Sequence, residues 1–327
     1  MYEIYGRRVP WTGTNIMMQC EEDLMKYIET SVPKKEMLVS EALHFREDVP
    51  MFSIVEFNIW GACNRRCLFC PVSNPDVYTN KHEGIDVTEY EKILTDLNEI
   101  EFTGTIIWSM FSEPLLHKGI NELARSTKKI LPSVRLQVVS NGDMIRKHTH
   151  RLEELISSGV DQVQFSHYDN AKQYEEFVEI RNRLELSEDQ MMLRRRYFEN
   201  GSYNLTISNR VGLIDSNKFR APDEERVEID SLPLKKRCFY PFYQIAIDYN
   251  GDVLLCAHDW SKDLILGNAV TQHIWDIWTG EELERARASL MASNRGFDPC
   301  RKCDVDGELI GKEHFVGFKS KADQKRI

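Results

Sequence analysis

The sequence predicts an α/β protein in which a partial (β/α)6 barrel precedes a small C-terminal domain made of a hairpin, a helix and a cysteine loop. Two observations support this fold class. Between residues 52 and 213, short apolar runs alternate with amphipathic stretches, and repeated β-then-α units build a parallel sheet with helices outside. Further along, Asn250-Gly251 separates two apolar runs, which is the strongest short hairpin signal.

The elements expected from these patterns give the domain boundaries. Strands are expected at residues 53–59, 104–110, 134–140, 161–166 and 203–208, and helices at 87–100, 119–130, 145–158 and 171–186. Outside the barrel we expect a helix at 17–29, a hairpin of 244–248 with 252–255, and a helix at 274–293. The chain therefore divides into an N-terminal extension (1–51), a core (52–213), a charged linker (214–237) and a C-terminal domain with its tail (238–327).

Charge and hydropathy argue against two classes of partner. The formal net charge of −10 does not fit a nucleic-acid-binding protein, which needs a basic face. No apolar run approaches the ~20 residues that span a bilayer. The first residues lack the apolar core of a secretory signal, so we expect a cytoplasmic protein.

The cysteines point to metal chemistry. Cytoplasmic thiols are kept reduced, so eight cysteines in such a chain are more typical of metal or redox sites than of disulfides. Seven of them form two groups, which are Cys63, Cys67 and Cys70, and then Cys238, Cys256, Cys300 and Cys303. Cys20 is left over.

The first group lies directly after a predicted strand. Three thiolates within residues 63–70 can wrap one face of an iron–sulfur cluster, which is normally held by four. The missing ligand leaves one iron open to bind a substrate or cofactor. A zinc site is the alternative, but zinc needs four ligands, and only His82 lies near enough in sequence to be the fourth.

This C-x3-C-x2-C segment resembles the radical S-adenosylmethionine (SAM) superfamily. The resemblance implies a [4Fe–4S] cluster on Cys63, Cys67 and Cys70 whose open iron binds SAM. Reductive cleavage of SAM then releases a 5′-deoxyadenosyl radical, which abstracts hydrogen from the substrate. In this family the aromatic residue before the third cysteine, here Phe69, lies near the adenine.

Two further segments resemble SAM-binding motifs of the same family. Residues 111–114 end in Glu113-Pro and are similar to the Gly-Gly-Glu-Pro motif, although both glycines are replaced. The resemblance implies that Glu113 accepts hydrogen bonds from the SAM ammonium group, although a glutamate at a strand end can also be a surface residue. Ser140-Asn141-Gly is similar to the Thr-Asn-Gly motif at the ribose. Both follow predicted parallel strands, where this architecture places ligands.

The second cysteine group resembles the opening of the SPASM domain, a C-terminal module that carries auxiliary clusters. The shared pattern is C-x12-G-x4-C, followed here by a C-x2-C pair. Because no cysteine follows Cys303, the chain is similar to the shortened "twitch" form, which implies one auxiliary [4Fe–4S] cluster on all four cysteines. A closed four-thiolate zinc site is the alternative. A fully ligated cluster would serve electron transfer or scaffolding.

This arrangement is similar to that of the radical SAM dehydrogenases and epimerases of sugars and aminocyclitols, a group that includes 2-deoxy-scyllo-inosamine dehydrogenase of antibiotic biosynthesis. The resemblance implies a small polar substrate, flavodoxin or ferredoxin as electron donor, and oxidation of a carbinol with the auxiliary cluster as electron acceptor. An epimerase would instead need a hydrogen-atom donor, usually a thiol. Only Cys20 is spare, and a lone cysteine is often a small buried hydrophobe, so oxidation is favoured.

Three residues are candidates for the catalytic machinery. Asn209-Arg210 resembles a stretch of sugar-processing relatives in which the arginine faces the substrate, so Arg210 is expected to orient the substrate oxygen. A surface salt bridge is the alternative for Arg210. His167 and Tyr168 follow the fourth predicted strand and are candidates for handling a proton or lining the pocket. His167 also fits a satisfied core histidine.

Two other function classes remain open. The first is an enzyme that epimerises or cross-links a ribosomal peptide, for which residues 1–50 are too short and too irregular to form a peptide-recognition domain. The second is an iron–sulfur electron carrier or scaffold, against which the open three-cysteine site argues.

Overall fold

The structure, a computed structural model, describes residues 2–4, 7–9, 31–197, 208–219 and 231–324, with side chains from residue 35 onward. Cys20, the helix expected at 17–29 and nearly all of the strand expected at 203–208 lie outside the described residues. Residues 220–230 of the expected linker do so as well.

An eight-stranded, mostly parallel sheet forms the centre of the molecule. Its parallel strands along the chain are β5 (Ile54–Phe57), β6 (Thr105–Trp108), β7 (Arg135–Ser140), β8 (Gln162–His167) and β9 (Met191–Arg195). On the other side of β5 the sheet continues with β10 (Gln244–Ile247), β11 (Asp252–Leu254) and β12 (Ile265–Asn268). Two small ladders stand apart, β1 (Tyr2–Ile4) with β2 (Arg7–Val9) and β3 (Phe45–Arg46) with β4 (Val49–Pro50).

Helices join the parallel strands and cover the C-terminal part. They are α1 (Ser31–Glu41), α2 (Val87–Glu99), α3 (Ile120–Ile130), α4 (Asp143–Lys147), α5 (His150–Ser157), α6 (Ala171–Arg183), α7 (Tyr240–Tyr243), α8 (Ile274–Trp278), α9 (Glu281–Met291) and α10 (Lys312–Gln324).

The start of α2 shows how the sequence sets such boundaries. Asp86 and Glu89 form a capping box, and Tyr90, Ile93 and Leu97 then turn one apolar face to the core. None of the described helices has the length and apolar character needed to cross a membrane.

The predicted barrel is confirmed, with differences in individual elements. Each of the helices expected at 145–158 and 274–293 is instead two helices, since His148 leaves helical geometry after α4 and Gly280 is the extended N-cap of α9. The sequence patterns missed β9 and α10. Strand β9 is short and reads Met-Met-Leu-Arg-Arg, so its apolar and charged residues do not alternate with a period of two.

The C-terminal hairpin extends the barrel sheet rather than forming a detached unit. Strand β10 pairs in parallel with β5, and Ile245 lies opposite Val55. Beyond the strand ends, the Asn58 side-chain amide donates to Asp248 Oδ1 at 2.7 Å, and both residues are fully buried. Helices of this region also pack on the barrel, because the ring centroid of Trp278 lies 5.0 Å from that of Phe52. The two cysteine-bearing parts of the chain therefore share one sheet.

Residues that face the inside of the sheet line a cavity of about 330 Å³. Alternate residues of each strand point to opposite faces, so Arg135, Gln137 and Val139 of β7 line this cavity while Leu136 and Val138 pack outward. Much of the lining is polar, which fits a small hydrophilic ligand better than an apolar core.

We predict that Asp248 holds the C-terminal part on the barrel. Its carboxylate accepts hydrogen bonds from Asn58 and from the Tyr249 backbone N–H, and it forms an ion pair with Lys262. Asp248→Ala leaves these buried donors unpaired and should lower the free energy of unfolding by about 3–5 kcal/mol in urea denaturation.

The matched control is Asp252→Ala in the same hairpin. Asp252 bonds to Asn250 and Asn268 near the surface, and its loss should cost about 1 kcal/mol or less. Equal losses for the two variants would contradict the anchoring role of Asp248.

Candidate functional site

The first cysteine group lies in the loop that follows β5, which we name the cluster loop (residues 61–70). Within the loop, the Cys70 N–H donates to the Cys67 carbonyl at 2.9 Å. The Cys63 N–H donates to Asn80 Oδ1 at 2.9 Å, which ties the loop to the segment that follows it. All three thiols are free and partly buried. Burial raises the pKa of Cys63 to about 12 and that of Cys67 to about 11. Metal binding deprotonates such thiols, so this donor set fits a cluster.

Arg65, within the cluster loop, clamps that loop to the ends of two neighbouring strands. Its guanidinium binds both carboxylate oxygens of Asp143, with Nε at 2.7 Å and Nη2 at 2.5 Å. It also binds both oxygens of Asp169, with Nη1 at 2.8 Å and Nη2 at 3.0 Å. Asp143 follows β7 and Asp169 follows β8. The sequence analysis missed this clamp, although an acidic residue shortly after each strand was a signal for it.

Glu113, Ser140 and Asn141 meet beside the cluster loop, as the motifs predict. Glu113 is 2% exposed, and it accepts hydrogen bonds from the Ser140 hydroxyl and from the Asn141 backbone N–H, both at 2.8 Å. Burial raises the pKa of Glu113 to about 7. The Asn141 amide donates to Asn64 Oδ1 at 2.9 Å, and its nitrogen is 3.9 Å from Cys63 Sγ. Glu113 therefore fixes the geometry of the loop after β7 in addition to its expected role toward SAM.

Phe69 and Tyr168 lie against each other on another side of the cluster loop. Their ring centroids are 5.2 Å apart, and Phe219 approaches Phe69 edge-on at 6.2 Å. Burial raises the pKa of Tyr168. Tyr168 is thus part of the wall around the cluster loop, next to the ring expected to face adenine.

His167 does not reach the cavity. Gln162 and Gln164 of β8 line the cavity, so the period of two turns His167 to the opposite face of the sheet. There its ring packs at 4.5 Å from Phe177 and 5.6 Å from Tyr174, both in α6. Burial lowers the pKa of His167 to about 4. The structure therefore places His167 in the core and away from the cavity, but it is not the satisfied core histidine of the alternative, because among the described residues neither ring nitrogen has a hydrogen-bond partner.

Arg210 lines the cavity from a strained backbone. Arg210, Val211 and Gly212 have φ values of +48°, +53° and +86°, and for a β-branched residue such as valine this region is a steric outlier. The Arg210 guanidinium lies 5.6 Å from the ring of Trp260. Among the described residues its Nε has no hydrogen-bond partner. It is a buried donor available to a ligand in the cavity.

The second cysteine group surrounds a separate, small cavity of about 20 Å³. Cys238, Cys256, Cys300 and Cys303 all line it, and all four thiols are free. Burial raises the pKa of each thiol, with repulsion from neighbouring thiolates adding to the rise for Cys256, Cys300 and Cys303, and the pKa of Cys303 reaches about 12. Four converging thiols that stay protonated without a cation fit the predicted auxiliary cluster.

Two side chains separate the two cavities. Tyr240 and His258 line both of them, and their rings are 4.8 Å apart. Burial lowers the pKa of His258 to about 3, so its imidazole is neutral. The sequence analysis missed both residues. Their only signal was a position two residues after Cys238 and Cys256.

Two protein-family models match the chain, and each covers one of the two cysteine groups. The sequence profile of the radical SAM superfamily matches residues 57–218, and that of SPASM, an iron–sulfur cluster-binding domain, matches residues 238–304. The chain is 27% identical over 256 residues to the S-adenosyl-L-methionine-dependent 2-deoxy-scyllo-inosamine dehydrogenase of Niallia circulans, spanning 78% of this chain and 93% of that protein. It is also 30% identical over 117 residues to the GTP 3′,8-cyclase of Chlorobaculum tepidum, spanning 34% of this chain and 32% of that one.

Solved structures show the same fold. The crystal structure of BtrN in complex with AdoMet and 2-DOIA matches with a TM-score of 0.64 and 24% identity, over 79% of this chain and 94% of BtrN. BtrN in an open conformation matches with a TM-score of 0.57 and 21% identity, over 81% of this chain and 97% of that one.

We predict two [4Fe–4S] clusters per chain. Anaerobically reconstituted protein should hold about eight irons and eight sulfides per chain, since each cubane takes about four of each. Replacing Cys63, Cys67 and Cys70 together with alanine should halve the iron measured by colorimetric assay. Stoichiometric zinc in place of iron, in protein purified anaerobically, would contradict the two-cluster assignment.

We also predict that Glu113→Ala weakens SAM binding. The variant loses an acceptor for a charged donor and frees the Ser140 and Asn141 groups that Glu113 holds. Such losses cost about 1.5–3 kcal/mol, or roughly tenfold or more in Kd by equilibrium binding.

Glu122→Ala, which removes an exposed glutamate from α3, is the matched control and should leave the Kd unchanged. Iron content should stay the same in both variants. An unchanged Kd for Glu113→Ala would remove Glu113 from the SAM site.

Proposed function

Because the chain is a radical SAM protein with a C-terminal SPASM domain, we propose that it oxidises a carbinol of a sugar or aminocyclitol to a ketone. The observation that carries this proposal is the shared wall of the two cavities. The four-cysteine cavity lies behind Tyr240 and His258, and the polar barrel cavity lies in front of them. An electron leaving a substrate in the barrel therefore has an acceptor site directly behind the wall.

The bound groups would supply the radical chemistry. Cys63, Cys67 and Cys70 would hold the first cluster with SAM, which on one-electron reduction supplies a 5′-deoxyadenosyl radical that takes one hydrogen atom from the carbinol carbon. The substrate then gives up one proton and one electron to become the ketone. Cys238, Cys256, Cys300 and Cys303 would hold the cluster that receives this electron.

The protein side chains orient the substrate and manage its proton. Arg210 donates hydrogen bonds to the substrate oxygen and stabilises the negative charge that develops on it. Glu56 also lines the cavity, where its two oxygens accept bonds from Ser109 at 2.7 Å and Gln244 at 2.7 Å. We assign Glu56 the role of accepting the hydroxyl proton, because it is the one acidic side chain among the described residues that line the cavity. Tyr168 packs against Phe69 beside the cluster loop, and neither residue is among those that line this cavity.

The expected substrate class and electron donor follow from this chemistry. A sugar or aminocyclitol is favoured because amide, hydroxyl and charged groups line the cavity, and because the Niallia circulans relative is named for an aminocyclitol. The first electron is expected from a flavodoxin or ferredoxin in the cytoplasm, where the thiols stay reduced.

We predict that Cys303→Ala separates SAM cleavage from product formation. The first site is intact in this variant, so 5′-deoxyadenosine still forms, but the substrate electron has lost its acceptor. Product should fall at least about tenfold relative to 5′-deoxyadenosine when both are quantified by mass spectrometry. A constant ratio of product to 5′-deoxyadenosine would contradict the electron-acceptor role.

The same assay in deuterated water tests oxidation against epimerisation. Oxidation returns no hydrogen atom, so Cys20→Ala should leave product formation nearly intact. A product that gains one deuterium at a stable C–H position, and loses this gain in Cys20→Ala, would identify an epimerase with Cys20 as hydrogen donor.

A further inference from the structure

Arg295 is a buried cation beside the four-cysteine cavity. It follows α9, is 2% exposed, and lines that cavity together with the four cysteines. Its guanidinium donates only to backbone carbonyls. These are Lys236 O at 3.0 Å, Arg237 O at 2.5 Å, Val305 O at 2.6 Å and Asp306 O at 2.6 Å.

None of these partners carries a negative charge. Throughout the described part of the chain, no carboxylate lies within 4.0 Å of the Arg295 guanidinium, and the nearby Asp306 carboxylate pairs instead with Lys236 at 3.1 Å. Carbonyl dipoles satisfy the hydrogen bonds but leave a full positive charge on a buried side chain. A buried charge is normally paired with an opposite one. Arg295 therefore indicates a negative group nearby.

The cysteine cavity is where that group belongs. A Cβ atom on Gly307 would lie 2.7 Å from Cys238 Sγ and 2.9 Å from Arg295 Nη2, so the sulfur and the guanidinium flank the same point. Only a residue without a side chain fits between them, and the φ of +79° at Gly307 also favours glycine.

A second buried arginine, Arg287, has its charge stabilised in a different way. Arg287 is 3% exposed and also donates to backbone carbonyls, those of Pro241 and Trp278. Its guanidinium lies over the rings of Trp278 at 3.9 Å and Phe318 at 4.2 Å, so π faces stabilise its charge. Arg287 does not line the cysteine cavity. It is therefore a matched reference for Arg295.

We propose that Arg295 is the counter-charge of the iron–sulfur cluster on Cys238, Cys256, Cys300 and Cys303, and that it raises the reduction potential of that cluster. This inference rests on the proposed function, which requires a redox-active cluster at these cysteines. One-electron reduction adds a negative charge, and a fixed positive charge in a buried site stabilises the reduced form. An arginine suits this role because it stays protonated when buried. Arg295 acts through the cluster and is a positioning residue rather than a catalytic one.

The test measures the reduction potential of this cluster alone. The background is the full chain with Cys63, Cys67 and Cys70 replaced by alanine and the remaining cluster reconstituted anaerobically. Arg295→Gln removes the charge and keeps an amide donor, Arg295→Lys keeps the charge, and Arg287→Gln removes the reference arginine. Each protein is titrated with a redox mediator series and followed by electron paramagnetic resonance.

Arg295→Gln should lower the equilibrium constant for one-electron reduction at least tenfold, a fall in potential of about 59 mV or more. Arg295→Lys and Arg287→Gln should change this constant by less than about twofold. An unchanged potential in Arg295→Gln would overturn the inference. If Arg295→Gln does not retain iron, Arg295→Lys decides: a potential near that of the parent supports the charge, and a tenfold weaker reduction overturns it. Absence of any reducible cluster in the parent background would instead refute the proposed function.

Discussion

Parallel pairing between β10 and β5 is the constraint on which the arrangement of both sites depends. The cluster loop follows β5, and the second cysteine group flanks the hairpin that begins with β10. Because the two strands are neighbours in one sheet, the loops at their carboxyl ends meet, and the buried bond between Asn58 and Asp248 ties those ends together. Without this pairing the four-cysteine cavity would have no fixed position relative to the barrel cavity, and electron transfer between them would have no defined path.

Buried polar groups hold the remaining strand ends in register around the SAM site. Glu113 joins the end of β6 to the loop after β7, and Arg65 joins the cluster loop to β7 and β8. Such groups are costly to bury, and they are stabilising only when their partners are in place. These hydrogen bonds and ion pairs make the position of each site residue depend on several others, so the site is rigid. Radical chemistry needs such rigidity to direct the abstraction to one hydrogen.

The segment around Arg210 lies between the two cavities and contributes a residue to the wall of each. Asn209 donates to Asp304 Oδ1 at 2.7 Å and to the Lys302 carbonyl at 2.7 Å, which fixes the segment on the loop of Cys300 and Cys303. Val211 packs in the apolar cluster that contacts Cys63, Cys70 and Cys303. The strained φ values of Arg210 and Val211 are thus maintained by contacts on both sides. They place Arg210 in the wall of the barrel cavity and Val211 in the wall of the four-cysteine cavity.

The sequence by itself determined the features that depend on local spacing. The cysteine groups, the first four barrel strands and the meeting of Glu113, Ser140 and Asn141 were predictable because residues that follow parallel strands must share one edge of the sheet. The tertiary structure alone decided which face a side chain occupies and which distant group it meets. A strand has a period of two, so an error of one residue reverses a side chain, and His167 faces α6 instead of the cavity for this reason. The partners of Arg65 and Arg295 lie in segments far apart in sequence. Acidic residues after β7 and β8 were a signal for the partners of Arg65, but only packing between the segments fixes which groups meet.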